Sequence, residues 1–246
     1  MKNKASNEYD KTGNGRGITI TGLPKASLDF IEFASQVKKP AIDMGCAFGV
    51  ATKPLLNKRK KVFACDMSSA HLERLRSETP NDLLPYLSTH TGCFPQDFEF
   101  EENDIGAIHC SFLLHFLTGE ELLSGLSKFK KWLDDDGKLF INVAMPSVPF
   151  LGTFGQDHEQ RKQSMEWPGE LYEKDLQHYL LPEFGEWIGP EAMFKFFHPM
   201  DKDILSRALT NSGFHIDELY IYTLEATGKL REYGGEDAHL SAIASR

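Results

Sequence analysis

The sequence predicts an α/β fold, in which a mostly parallel sheet carries helices on both faces. Short apolar strands alternate with amphipathic helices along most of the 246 residues, and this alternation favours parallel strands joined by helical crossovers. The first strand, 40–44, runs directly into a turn that contains Gly45 and Gly49. Because parallel strands end at the same edge of a sheet, this turn places bare backbone where a ligand can approach closely.

Each element is predicted from its spacing of apolar residues and from its capping residue. A first helix follows Pro24, with Leu28 and Ile31 at helical spacing. Thr118 precedes the most regular helical pattern, and Asp-Asp-Asp-Gly at 134–137 is expected to separate that helix from the next strand. Further helices are predicted at 51–58 and after Ser68 and Asp201, and strands at 40–44, 61–65, 86–89, 105–111, 138–144, 216–222 and 239–244.

Charge and cysteine content limit the classes of function. Lys and Arg total 27 against 36 for Asp and Glu, a net charge of -9, without a basic block, which disfavours a nucleic-acid partner. Residues 1–14 are polar and no apolar run is long enough to span a membrane, so we expect a cytoplasmic protein without a membrane partner. No Cys-x-x-Cys spacing occurs, so we expect reduced thiols and no metal site. A metal shared at one sheet edge is the open alternative, with ligands from Cys46, Cys65, Cys93 and Cys110.

An acidic residue follows the glycine turn at a distance typical of adenosine-binding folds. The second strand ends at Asp66, 21 positions after Gly45, where such folds place a carboxylate that accepts hydrogen bonds from ribose hydroxyls. A dinucleotide fingerprint needs G-x-G-x-x-G, but Ala47 and Val50 stand at its second and third glycines. The turn therefore suits an adenosine cofactor without a pyrophosphate.

The segment Asp43-Met44-Gly45-Cys46-Ala47-Phe48-Gly49 resembles the first motif of the class I S-adenosylmethionine-dependent methyltransferases, with alanine at the middle glycine. Residues 65–68 are similar to the end of that family's second strand, and 105–116 to its fourth strand and the exit from it. The resemblance implies a Rossmann-like, seven-stranded sheet completed by a terminal antiparallel hairpin. It also implies S-adenosylmethionine as the cofactor and S-adenosylhomocysteine as the product.

The resemblance also implies which residues bind the cofactor. Two positions depart from the family pattern: Gly106 replaces a usual aspartate, and Cys93 stands where an acid often contacts adenine, with Asp97 and Asp104 as nearby acids. Tyr9 and Arg16 in the N-terminal arm can fold over the cofactor, with Arg16 meeting its carboxylate; the alternative is that both belong to a mobile arm. The predicted cofactor-binding residues are Arg16, Asp43, Gly45, Cys46, Ala47, Gly49, Asp66, Met67, Cys93, Phe94, Cys110, Ser111 and Phe112.

A long insertion after the fifth strand is the predicted substrate cap. We divide the chain into an arm (1–22), a cofactor-binding part (23–146), the cap (147–199) and a C-terminal helix with the hairpin (200–246). The cap holds ten aromatic, nine acidic and four basic residues, a composition that suits a small organic acceptor, including an amine-bearing one. The alternative is that its rings pack the insertion against the sheet.

Methyl transfer from a sulfonium is an in-line displacement, so alignment and exclusion of water dominate catalysis. A protein nucleophile is not required, but an oxygen acceptor can need a general base, usually a histidine. His115, just past the fourth strand, is the predicted catalytic candidate, and its alternative role is to begin a helix. His158, His178 and His198 are the other candidates.

The sequence thus predicts an enzyme that methylates a small molecule on oxygen, nitrogen or carbon. A nucleic-acid or protein methyltransferase is a second interpretation, although 110–113 read Cys-Ser-Phe-Leu instead of the N/D-P-P-Y signature of base methylases. A protein that keeps the fold and binds without turnover is a third, and a nicotinamide dehydrogenase is disfavoured by the broken fingerprint. Neither the acceptor nor the oligomeric state follows from the sequence.

Overall fold

The computed structural model describes residues 9–12 and 16–246 of the chain. Its strands form one seven-stranded sheet and two small antiparallel sheets of two strands each. The strands are β1 (Tyr9–Lys11), β2 (Ile18–Ile20), β3 (Ala41–Met44), β4 (Val62–Asp66), β5 (Leu87–Thr91), β6 (Ile105–Ser111), β7 (Leu133–Ala144), β8 (Leu171–Tyr172), β9 (Phe196–Phe197), β10 (His215–Tyr222) and β11 (His239–Ser245).

Helices connect most of these strands, and three short 3-10 turns add to them. Within the described part of the chain, no helix has the length and apolar character needed to cross a membrane. The helices are α1 (Lys25–Gln36), α2 (Thr52–Asn57), α3 (Ser69–Glu78), α4 (Gly119–Trp132), α5 (Phe154–Arg161), α6 (Glu173–Tyr179), α7 (Pro182–Ile188), α8 (Lys202–Asn211) and α9 (Gly228–Gly234).

The central sheet confirms the predicted fold class. Its strand order is β10-β11-β7-β6-β3-β4-β5, with β3 to β7 parallel to one another. The last two strands form the expected terminal hairpin, and β11 pairs antiparallel with β7. The chain moves outward in one direction through β4 and β5 and in the other through β6 and β7. The switch point between β3 and β6 is where open α/β sheets bind ligands, at the carboxyl ends of the strands.

Apolar residues on both faces of the sheet hold the helices in place. One cluster packs α4 and α8 against the sheet through Leu126, Phe129 and Leu205, and another packs α1 to α3 on the opposite face through Phe30 and Leu75. The N-terminus of α4 has a capping box, in which Thr118 accepts a hydrogen bond from the backbone of Glu121 and the Glu121 carboxylate reaches back. The helix caps predicted at Ser68 and Asp201 are confirmed.

The expected break at 134–137 is wrong, because this segment lies inside β7. The helix ends at Trp132 and the strand begins at the next residue, Leu133. Ile105 pairs with Leu133, and the next pair along the ladder joins Ala107 to Lys138. Residues 134–137 lie between these two pairs and bulge out of the ladder, so the strand continues through a segment whose composition favours a turn.

The insertion at 147–199 folds over the carboxyl edge of the sheet and has its own apolar core. Phe154, Leu171 and Leu176 are buried there. Phe150 and Phe184 stack with ring centroids 4.5 Å apart, and Phe184 also meets Tyr233 of α9 at 5.3 Å. Many of the rings that the sequence assigns to a cap therefore hold the insertion together.

Candidate cofactor and acceptor site

The turn after β3 needs residues without a side chain. Gly45 has φ +74°, and a Cβ there would lie 2.5 Å from Cδ1 of Leu113. Gly49 has φ +76°, and a Cβ there would lie 2.4 Å from Cδ1 of Leu75. Ala47 adopts the left-handed region as well, with φ 44°, which is strained for an alanine. The close approach of neighbouring side chains thus selects the glycines that the sequence motif contains.

A cleft lies at the carboxyl ends of β3, β4 and β6, with an empty volume of about 1140 Å³ including its open mouth. We call it the cofactor cleft. It adjoins the switch point of the sheet, and β2 contributes Ile18, Thr19 and Ile20 to its lining. Most of the predicted cofactor-binding residues line it: Arg16, Asp43, Gly45, Cys46, Ala47, Asp66, Met67, Cys93, Phe94, Ser111 and Phe112.

Two of the predicted cofactor-binding residues lie away from the lining. Cys110 is fully buried in the apolar core, because side chains alternate along β6 and Ser111 takes the face toward the cleft. Gly49 meets α3 instead, since the side chain of Leu75 occupies the space beside it. The glycine at 49 therefore serves helix packing.

Asp66 at the end of β4 is buried and accepts several hydrogen bonds. Its Oδ2 accepts from the backbone N–H of Ala47 at 2.9 Å, and its Oδ1 accepts from the N–H of Ser68 at 2.9 Å. His71 Nδ1 lies 3.1 Å from the same Oδ1, and this hydrogen bond raises the pKa of His71. His71 Nε2 contacts the carbonyl oxygen of Thr12 at 2.8 Å. The ring of His71 thus links Thr12, next to β1, to Asp66 at the end of β4.

Asp43, the first residue of the motif, is buried and already paired within the chain. Its Oδ2 accepts a hydrogen bond from Thr52 Oγ1 at 2.6 Å, and its Oδ1 lies 2.8 Å from His109 Nδ1. His109 Nε2 lies 2.8 Å from Ser27 Oγ. With the carboxylate ionised, His109 donates to Asp43 and accepts from the Ser27 hydroxyl. Sequence reasoning missed Ser27 and His109, since neither belongs to a motif.

Asn142 extends this buried network to the other strands. Its Nδ2 donates to Ser27 Oγ at 3.0 Å and to Ser111 Oγ at 3.1 Å. Its Oδ1 accepts from Ser241 Oγ at 2.7 Å. The network therefore joins α1, β3, β6, β7 and β11 beside the cleft, and every member has a partner, as buried polar groups require.

The two departures from the family pattern have local causes. A Cβ on Gly106 would lie 2.8 Å from Val37 Cγ2, so this position has no room for an aspartate side chain. Asp97 Oδ2 accepts a hydrogen bond from the N–H of Cys93 at 2.8 Å, which places an acid beside the cleft. Asp104 precedes β6 and lies at the opposite, amino-terminal edge of the sheet.

The cysteines do not assemble into a metal site. Cys46, Cys65 and Cys110 are buried and Cys93 is exposed, and all four are free. Over the described residues, the one group with metal-ligand spacing is His158, Glu159 and Asp201. Lys162 Nζ already lies 2.8 Å from Asp201 Oδ2, so this group is an ion-pair cluster around a lysine.

A second cavity, with an empty volume of about 620 Å³, adjoins the cofactor cleft. We call it the acceptor cavity. Six aromatic side chains of the insertion and of α9 line it, and no acidic residue occurs among the described residues of its lining. The two cavities share a boundary formed by Arg16, Ile18, Ile20, Phe112 and Phe116. Phe112 has φ 56°, a strained conformation of the kind that is concentrated at functional sites.

The histidine candidates occupy different environments. His115 lines the acceptor cavity, where burial and the nearby His239 and His198 lower its pKa to about 3. Its Nδ1 accepts a hydrogen bond from the N–H of Ala144 at 3.3 Å. His198 Nδ1 lies 2.9 Å from the carbonyl oxygen of Leu117, and burial lowers its pKa to about 4. His158 and His178 line neither cavity.

Comparison with known protein families agrees with this geometry. Residues 41–137 match a family model described as a methyltransferase domain. The chain therefore contains a methyltransferase domain, and its sheet has the Rossmann-like fold of such enzymes. The matched residues run from β3 and the glycine turn through β6 and α4.

Solved structures share the fold of this chain at low sequence identity. An S-adenosylmethionine-dependent methyltransferase from Methanosarcina mazei is 14% identical, with 91% of this chain and 98% of that chain covered and a TM-score of 0.62. An S-adenosylmethionine-dependent methyltransferase from Mesorhizobium loti is 16% identical, with 90% of this chain and 98% of that chain covered and a TM-score of 0.60. The glycopeptide N-methyltransferase MtfA with S-adenosyl-L-homocysteine is 17% identical, with 89% and 86% covered and a TM-score of 0.56. No curated protein sequence matches the chain.

Proposed function

We propose that this methyltransferase transfers a methyl group to a small organic molecule held in the acceptor cavity. The observation that carries this proposal is the boundary that the two cavities share at Phe112 and Phe116. A donor in the cofactor cleft and an acceptor in the second cavity meet at that boundary. An acceptor placed there can be aligned with the donor while the surrounding rings exclude water.

The residues of the cofactor cleft fit S-adenosylmethionine. The bare backbone at Gly45 leaves room that a side chain would close, and no pyrophosphate site is needed. Asp66 stands at the strand end that suits ribose hydroxyls, and Met67 is exposed beside it for contact with adenine. When bound, the cofactor supplies an electrophilic methyl group. We retain as proposed contacts those predicted residues that line the cleft.

The N-terminal hairpin closes the proposed site. Gly17 donates a backbone hydrogen bond to the carbonyl of Ala192 at 2.8 Å, and Trp187 Nε1 donates to Tyr9 Oη at 3.1 Å. Arg16 lies with its guanidinium carbon 5.5 Å from the centre of the Phe116 ring. The arm therefore contacts the insertion across the boundary of both cavities, a position from which it can exclude water.

His115 suits hydrogen bonding better than proton abstraction. Its ring makes hydrogen bonds with the backbone N–H of Ala144 and with the backbone of Phe112, so the imidazole is held in place by the chain itself. With a pKa lowered to about 3, mainly by burial, it remains neutral at physiological pH. We therefore propose that His115 is a neutral part of the cavity wall that positions the acceptor. Alignment of the acceptor with the methyl donor does not require His115 to act as a general base.

Calorimetry with S-adenosylmethionine and S-adenosylhomocysteine tests the cofactor half of the proposal. Binding in the micromolar range or tighter is expected, and displacement by NAD would contradict it. Transfer of labelled methyl from the cofactor into a metabolite extract tests the acceptor half. Label in the protein or RNA fraction would favour the alternative acceptors, and cofactor binding without any transfer would favour a non-catalytic role. A cytoplasmic location stays a prediction.

A further inference from the structure

His71 connects the N-terminal hairpin to the cofactor cleft through both of its ring nitrogens. It lies on α3, is buried, and lines the cofactor cleft beside Asp66. Nδ1 lies 3.1 Å from Oδ1 of Asp66, and Nε2 lies 2.8 Å from the carbonyl oxygen of Thr12. A backbone carbonyl has no proton to give, and the carboxylate already accepts the N–H groups of Ala47 and Ser68. Both partners of the ring are therefore hydrogen-bond acceptors.

An imidazole between two acceptors needs a proton on each nitrogen. The neutral ring has one N–H group and one lone pair, so it satisfies one of the two partners and repels the other. The imidazolium has two N–H groups and satisfies both. The contacts of His71 therefore correspond to its protonated form. The hydrogen bond to Asp66 also raises the pKa of His71, which agrees with this geometry.

The charged groups around His71 act on its proton in opposite directions. Asp66 on β4 raises the pKa of the ring, and Arg74, one turn further along α3, lowers it. Arg74 Nη2 lies 3.2 Å from Oδ2 of Asp10 on β1, so a carboxylate from the hairpin offsets part of the arginine charge. The glycine turn contributes a neutral group, the ring of Phe48, whose centroid lies 4.6 Å from that of the imidazole. The net change in the pKa of His71 is upward.

The hairpin that His71 contacts forms part of the wall of both cavities. Thr12 and residues 18–20 line the cofactor cleft, and residues 16–18 line the acceptor cavity. Movement of the hairpin away from α3 therefore opens the cofactor cleft to solvent and removes part of the acceptor cavity at the same time.

An ion pair and a hydrogen bond fasten the hairpin to α3. The ion pair joins Asp10 to Arg74, whose side chains are 35% and 44% exposed, and exposed pairs contribute little to stability. The hydrogen bond joins the buried ring of His71 to Thr12, and a charged donor makes such a bond stronger than a neutral one. The attachment of the hairpin to α3 therefore depends mainly on the proton of His71.

Resting on the proposed function, we propose that His71 is a positioning residue whose protonated ring holds the hairpin closed over the S-adenosylmethionine site. When the proton on Nε2 passes to water, its electron pair stays on the nitrogen and faces the carbonyl oxygen of Thr12. The proton on Nδ1 is retained, because a carboxylate binds an N–H group more strongly than a carbonyl does. The hairpin is then released, and the cofactor exchanges with solvent. Cofactor release is therefore slow below the folded pKa of His71 and faster above it.

Two amide variants separate the two hydrogen bonds of the ring. In His71→Gln the amide nitrogen stands near the position of Nε2, so the bond to Thr12 is kept at every pH. In His71→Asn the amide nitrogen stands near the position of Nδ1, so the bond to Asp66 is kept and the bond to Thr12 is lost. Neither amide titrates. His90→Gln replaces an exposed histidine on β5 and is the matched control.

Hydrogen exchange at the backbone amides of β1 and β2 measures attachment of the hairpin in the full chain without ligand. Each variant is compared with the wild type at the same pH, which cancels the intrinsic pH dependence of exchange. We expect His71→Asn to exchange about tenfold faster than the wild type at about pH 6 and equally fast at about pH 9. His71→Gln should stay within about threefold of the wild type at about pH 6 and exchange about fivefold more slowly at about pH 9. Exchange in β7 reports whether each variant is folded.

Release of bound S-adenosylhomocysteine measures the effect of the hairpin on the cofactor site. Labelled compound is chased with an excess of unlabelled compound, and rates are divided by those of His71→Gln at the same pH, which cancels titration of the ligand. The wild-type ratio should rise about fivefold between about pH 6 and about pH 9. The ratio for His71→Asn should be high at both values, and His90→Gln should follow the wild type.

Hairpin exchange in His71→Asn that equals the wild type at about pH 6 would overturn the proposal, as would a wild-type ratio to His71→Gln that does not change with pH. Hairpin exchange that follows pH while the release rate does not would also contradict it. Absence of S-adenosylhomocysteine binding with the exchange pattern intact would instead refute the proposed cofactor, so the two levels fail in different ways.

Discussion

The carboxylate of Asp43 and the imidazole of His109 face each other beside the cofactor cleft, with 2.8 Å between Oδ1 and Nδ1. Both side chains are almost fully buried. Asp43 begins the glycine motif on β3, and His109 lies on the neighbouring strand β6. The pair therefore sets the relative position of the two strand ends between which the cleft opens.

Replacing His109 should destabilise the fold through this pair. His109→Phe keeps the stacking on Phe30, whose ring centroid lies 4.9 Å away, but leaves the buried Asp43 carboxylate and Ser27 hydroxyl without this partner. We expect a loss of about 2–4 kcal/mol in the free energy of unfolding, measured by urea denaturation. His178→Phe on the exposed face of α6 is the control, and an equal loss in both variants would contradict the argument.

The glycine at 45 should tolerate no side chain. In Gly45→Ala the methyl group meets Leu113 Cδ1 at 2.5 Å in a left-handed conformation, so we expect about 1–3 kcal/mol of destabilisation and weaker cofactor binding by calorimetry. Gly228 has φ +53° and open space around it. Gly228→Ala therefore introduces backbone strain without a clash and serves as the control. If the two variants lose the same stability, the clash with Leu113 is not the cause.

The hydrogen bond from His71 to Asp66 should make stability depend on pH. This bond raises the pKa of His71 in the folded chain. The stabilisation is therefore complete below the unfolded pKa of about 6.5 and is lost as pH rises through the higher folded value. The stability difference between wild type and His71→Asn should shrink as pH increases from about 5.5 to about 9, as followed by thermal unfolding. A difference that grows with pH would have the wrong sign.

His115 should affect the acceptor and leave the cofactor unchanged. It lines the acceptor cavity and is absent from the lining of the cofactor cleft. We expect His115→Leu to lower kcat/KM for the acceptor by about tenfold or more, with the Kd of S-adenosylmethionine within about twofold of wild type. Because the pKa of His115 lies at about 3, its removal should not alter the pH–rate profile between about pH 6 and 8. A change in Kd alone would place His115 in the cofactor cleft.

Much of this architecture was predictable because its signals are local. Periodicity and caps predicted α4, β6 and the terminal hairpin with small errors at their ends. The glycine turn and Asp66 predicted the cleft, since spacing along a βαβ unit directs both to one sheet edge. The segment 134–137 was mispredicted as a break before the strand, because β7 begins at Leu133, which pairs with Ile105, and 134–137 form a bulge inside the strand.

The sequence by itself determined the order of the elements, the turn at Gly45 and the acid at Asp66, since each depends on residues close together in the chain. Only the tertiary structure decided what Asp43 contacts, because His109 lies 66 positions away. It also brought His239 of the last strand into one cavity with His115 and the rings of the insertion. Contacts of that range arise when the sheet closes and the insertion packs on it, and no local pattern of residues records them.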